Sequence, residues 1–72
     1  MDIKQKIGRR IKELRGERSQ EEIANTAEME RSFMTHIENG RRNISVDTLQ
    51  RVLDALEISF KDFFDSKEFA KT

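Results

Sequence analysis

Apolar side chains recur at helical spacing along nearly the whole chain, with no proline to interrupt them. That periodicity is what most limits the folds open to these 72 residues. Ile3, Ile7, Ile11 and Leu14 follow one another at intervals of four, four and three, which places them on one face of a first helix. Gly16 is a natural stop, because glycine tolerates the left-handed backbone that closes many helices. Ser19 and Glu22 have capping-box spacing, so a short second helix is expected from Gln20, with Ile23, Ala24 and Ala27 inward. Met29 then falls in a turn. A third helix from about Arg31 carries Phe33, Met34 and Ile37 inward and ends at Asn39-Gly40. Beyond a polar loop at 41–45, Val46, Leu49, Val52, Leu53 and Leu56 line a fourth helix, capped by Ser45 or Asp47. Ser59 can cap a fifth, on which Phe60, Phe63 and Phe64 cluster, and the tail at about 66–72 is expected to fray. No strand alternation, repeat or linker breaks the series. The expected fold class is all-α, a five-helix bundle in one domain over residues 1–72.

Composition narrows the function. The chain has no cysteine, so neither a disulfide staple nor a thiolate metal site is available, which fits a reducing cytoplasm. No apolar run approaches the roughly 18 residues of a membrane span, and the N-terminus does not read as a cleavable signal. Fourteen basic residues balance fourteen acidic ones, which on its face disfavours nucleic acid as a partner. The charges are nevertheless segregated. Residues 1–18 hold seven basic and three acidic side chains, whereas 19–40 hold Arg31 against five glutamates. A neutral chain can therefore present a basic surface.

Catalysis has little to stand on. His36 is the single histidine and has no metal-binding spacing around it. The serines at 19, 32, 45, 59 and 66 fall at helix starts or turns, where capping accounts for them. Glu21 and Glu22 point about 100° apart on a helix, and the three glycines stand alone at 8, 16 and 40, so no phosphate loop exists. No enzyme activity, cofactor, metal or small-molecule ligand is expected.

The segment Ser19–Gly40 has the layout of a helix-turn-helix, its motif core: a short helix, a tight turn and a second helix. Ala24 supplies the small residue at the helix crossing and Met29 the hydrophobe of the turn, while Met34 and Ile37 anchor the second helix. Its remaining face is left free to enter a major groove. Residues 7–64 resemble the Xre/Cro-type helix-turn-helix family of bacterial and phage repressors. The marks are Ile11-Lys-Glu-Leu14-Arg15, Ser19-Gln-Glu-Glu-Ile-Ala24, Ile37-Glu-Asn-Gly40, Arg42-Asn43, Val46-Asp-Thr-Leu49 and Ala55-Leu56. Within that family the run Glu30–Ser45 is most similar to controller proteins of restriction–modification systems. The interval from Arg15 to Ser19 is two residues shorter than the family's, so the first helix is expected to end early or tilt. Glu28 and Glu57 stand where the family has glycine, and Ile44 where it has proline.

The resemblance implies a lambda-repressor-like fold and assigns roles. Arg31, Ser32 and His36 are the expected base readers, with Thr35 nearer the backbone and Phe33 either touching a thymine methyl or covering the helix edge. Arginine grips guanine O6 and N7 with two hydrogen bonds, worth about 1–3 kcal/mol of discrimination. Gln20 resembles a phosphate clamp at the second helix's N-terminus, and Asn39, Arg41, Arg42 and Asn43 are expected to touch the backbone again. Glu38 is expected to pair with Arg15 rather than face DNA. Glu30 lies closest to the groove, where its charge would exclude some bases. Three rings in five residues exceed what a small bundle hides, so Phe60, Phe63 and Phe64 are the expected dimer contact.

The function expected is a cytoplasmic, sequence-specific transcriptional regulator that binds double-stranded operator DNA. It would act as a homodimer on a pseudo-palindromic site, with recognition helices about 34 Å apart. A restriction–modification controller is the sharpest version. A phage-type repressor, an antitoxin of a toxin–antitoxin pair, or a helical protein-interaction module without DNA binding are the alternatives.

Overall fold

Local capping chemistry sets where the helices begin. In the computed structural model, which describes residues 1–70, α1 spans Ile3–Arg15, α2 Gln20–Thr26, α3 Arg31–Glu38, α4 Val46–Leu56 and α5 Phe60–Phe64. Ser19, Ser45 and Ser59 each accept a hydrogen bond from the backbone N–H three residues on, satisfying an amide that the first turn leaves free. Of the two residues weighed for α4, the cap is thus Ser45. At α1 the box is reciprocal: Asp2 accepts from Gln5 N at 2.9 Å, while Gln5 Oε1 accepts from Asp2 N at 3.0 Å.

The helix ends are equally specified. At Glu28, Gly40 and Glu57 the chain turns left-handed, with φ of 57°, 71° and 60°. In each case the next amide reaches back to the final turn: Met29 N to Ala24 O, Arg41 N to His36 O, and Ile58 N to Leu53 O. These are Schellman closures, and two of them place glutamate where glycine is favoured. Despite the short link to Ser19, α1 continues to Arg15, and Gly16 (φ 59°, ψ −126°) makes the reversal. The Arg18 guanidinium then folds back onto the Leu14 carbonyl.

These helices bury one core, in which Ile11, Ile23, Met34, Ile37, Val52, Leu53 and Phe63 are almost wholly enclosed. Packing runs α1 on α3, α2 on α3 and on α4, and α4 on α5. Gly8 makes the first contact possible. A Cβ there would lie 2.6 Å from the Glu38 carbonyl oxygen and closer still to that of Ile37. Two arginines tie distant elements together through backbone carbonyls. Arg10 donates to the carbonyls of Asp62 and Phe63 at 2.9 and 2.8 Å, and Arg51 donates to those of Ala27 and Glu28.

Some apolar positions depart from the periodic reading. Val46 was expected to face inward but is 73% exposed, and Ile3 is exposed too. Each opens its helix, where the apolar stripe overruns the neighbouring element. Nor is the tail wholly unstructured: Lys67–Phe69 form a 3-10 turn that sets Phe69 against Phe63 and Phe64. Expected fraying at residues 71–72 lies outside the described residues.

Candidate nucleic-acid interface

The amphipathic α3 turns Met34 and Ile37 into the core and leaves the opposite face to solvent. Arg31 and Ser32 are exposed on that face, with Thr35 and His36 half-buried behind them, and these four line one shallow depression. Around the helix edge, Glu30, Ser32, Phe33, His36 and Arg42 line a second. Phe33 packs against the core from its margin, and the Arg42 guanidinium sits 5.4 Å from its ring centroid, at cation–π distance. The ring is thus half-buried at the helix edge.

A buried carboxylate joins this face to α1 and α2. Glu38 is only 7% exposed, and a charge so enclosed needs strong partners. Arg15 supplies two bonds, from Nε to Oε2 at 2.8 Å and from Nη2 to Oε1 at 2.9 Å. Those hydrogen bonds raise the Arg15 pKa above its ordinary value, outweighing the opposing effect of burial. Gln20 Nε2 donates a third bond to Glu38 Oε1 at 3.0 Å. The Thr35 hydroxyl lies 2.9 Å from Gln20 Oε1 and 3.1 Å from the Arg31 carbonyl oxygen, donating to one at a time. Gln20 and Thr35 are therefore held by the fold, with half-exposed side chains at the mouth of the α2–α3 angle.

Asn39, Arg41, Arg42 and Asn43 follow α3 and are all exposed, and Arg42 and Asn43 line a depression against Ile3, Lys4 and Ile7 of α1. The three aromatic residues of α5 differ in exposure, although the Phe63 and Phe64 rings meet edge to face at 4.9 Å. Phe63 is 0% exposed and belongs to the protomer's own core, so it is removed from the expected dimer contact; Phe60 and Phe64 are 36% and 38% exposed. The reason is helical geometry: Phe63 points into the core, while Phe60 and Phe64 lie roughly 60° and 100° round the helix from it, to the same side. Sequence reasoning missed Gly8, Arg10 and Arg51. Only the Asp2–Gln5 box had a local signal, an Asp followed three residues later by Gln.

Comparison with known proteins follows from this geometry. Residues 6–60 match the helix-turn-helix domain family. The control protein C.MunI of a Mycoplasma species is 36% identical over 70 residues, covering 93% of this chain and 95% of that protein. Control protein C.BamHI of Bacillus amyloliquefaciens is 30% identical over 67 residues, covering 89% and 83%. Among solved structures, the restriction–modification controller protein C.AhdI from Aeromonas hydrophila superposes with a TM-score of 0.80 at 33% identity, over 85% of this chain and 91% of that one. The C.Esp1396I controller, solved as a tetramer in complex with its natural 35 base-pair operator, gives 0.84 at 28% identity, over 90% and 88%.

Proposed function

The chain belongs to the helix-turn-helix domain family, and from that premise we propose that it is a sequence-specific, DNA-binding transcriptional regulator. It is a controller protein of the restriction–modification kind, which binds a pseudo-palindromic operator as a homodimer. Residues 1–72 act as one non-enzymatic domain in the cytoplasm. No helix among the described residues is long and apolar enough to cross a membrane.

The observation that carries this reading is the outer face of α3. Arg31 and Ser32 stand exposed on a helix whose opposite side is locked into the core, at the spacing a major groove admits. In this reading Arg31, Ser32 and His36 contact bases, with Thr35 and Phe33 at the margin. Gln20, Asn39, Arg41, Arg42 and Asn43 contact phosphates and set the register. Phe60 and Phe64 meet their counterparts across a two-fold axis.

Mobility shifts at two salt concentrations test the division of labour. Arg31→Ala should relax preference at one base pair per half-site, costing about 1–3 kcal/mol there. By contrast, Arg42→Ala should weaken all sequences alike and reduce the salt slope by about one per protomer. If neither effect is seen, α3 is not the DNA-reading element.

A further inference from the structure

Glu30 differs from every other N-cap of the five α-helices. At α1, α2, α4 and α5 the cap side chain accepts a backbone hydrogen bond, whereas Glu30, with extended backbone at φ −74° and ψ 146°, makes none. It is exposed, and neither ion pair among the described residues includes it. The fold thus leaves a full negative charge unused at the edge of the reading face. There it lines, with Ser32, Phe33, His36 and Arg42, an open groove of about 420 Å³.

We propose that Glu30 is a specificity-determining residue whose free carboxylate accepts a hydrogen bond from the N4 amino group of a cytosine beside the base pair that Arg31 contacts. The proposal rests on the DNA-binding function given above. An ionised carboxylate has acceptors only. In the major groove guanine presents two acceptors, thymine an acceptor and a methyl, and adenine an acceptor next to its amino group. Cytosine presents a donor alone. Glu30 is therefore satisfied best by cytosine, less well by adenine, whose N7 lone pair adjoins its amino group, and at guanine or thymine it is desolvated against a lone pair or a methyl. Arg31 next to it in the chain and Arg42 across the groove offset its repulsion from nearby phosphates. Those arginines act at every site; where no base amino group meets the carboxylate its desolvation is left unmatched, so Glu30 gains selectivity by disfavouring wrong sites as well as by binding the right one.

Selection of bound duplexes from a random pool, run with the full chain and with Glu30→Ala, Glu30→Gln and Arg31→Ala, tests this. The Glu30 side chain makes no hydrogen bond or ion pair among the described residues, and circular dichroism checks that each variant retains its helices. Wild type should select a cytosine at one position of each half-site, and Glu30→Ala should lower that preference about tenfold. Glu30→Gln should convert the same position to adenine, whose N6 and N7 match a side-chain amide. Arg31→Ala should keep the cytosine and relax a different position. Tighter binding of every sequence by one common factor in both Glu30 variants, with base preferences unchanged, would reduce Glu30 to a repelling charge and overturn the proposal. A wild-type chain that enriches no sequence would instead overturn the DNA-binding function itself, and this proposal with it.

Discussion

Gly8 shows how much a single hydrogen can decide. Alanine is the better helix former by about 1 kcal/mol, so propensity alone favours Gly8→Ala. Here, however, the added carbon meets the backbone carbonyls of Ile37 and Glu38, which cannot rotate aside as a side chain would. Overpacking of this kind costs about 1–3 kcal/mol or more, and the steric effect wins. Gly8→Ala is expected to lower the urea midpoint with the slope unchanged, by lifting α1 off α3. Nothing local announces this. Gly8 sits mid-helix in the sequence, and the carbonyls it meets are some thirty residues downstream.

At the scale of elements, the helix starts were legible because a cap acts within one turn: Ser19, Ser45 and Ser59 all lie beside the amide they satisfy. Arg10 and Arg51 were not legible, since they close carbonyls 53 and 24 residues away and resemble any solvated charge until the helices pack. Apolar periodicity likewise tells which face is buried but not where the neighbouring element ends, which is why Val46, expected inward, is exposed. The left-handed closures are a separate case. Glutamate at φ 60° carries a Cβ penalty of about 1–2 kcal/mol, while glycine adds about 0.5–1 kcal/mol of unfolded-state freedom. Glu57→Gly should therefore stabilise the fold by roughly 0.5–1 kcal/mol, read as a higher thermal midpoint. Position 57 closes α4 and is none of the residues proposed to meet DNA, so operator affinity should not change.

For the whole molecule, neutrality takes on a geometric meaning. Of the seven basic residues in 1–18, Arg10, Arg15 and Arg18 are occupied with the protein's own carbonyls and with Glu38. The cations free to meet phosphate are fewer than the count implies, and under the proposed function selectivity falls on base contacts and on pairing two protomers. Phe64→Lys tests the pairing. It alters an exposed ring rather than the buried Phe63, so sedimentation should report a folded chain at half the wild-type mass, with operator binding weakened. An unchanged mass would place the interface elsewhere. The Glu38 carboxylate has one last consequence. By collecting donors from α1 and α2 onto α3, it joins Gln20 and the proposed reading face into one hydrogen-bonded piece before any duplex arrives. Little protein ordering then remains to be done on binding. A stiff reader cannot mould itself to a poor site, so the duplex must supply the give, and operators with flexible pyrimidine–purine steps will be preferred even where no side chain touches them.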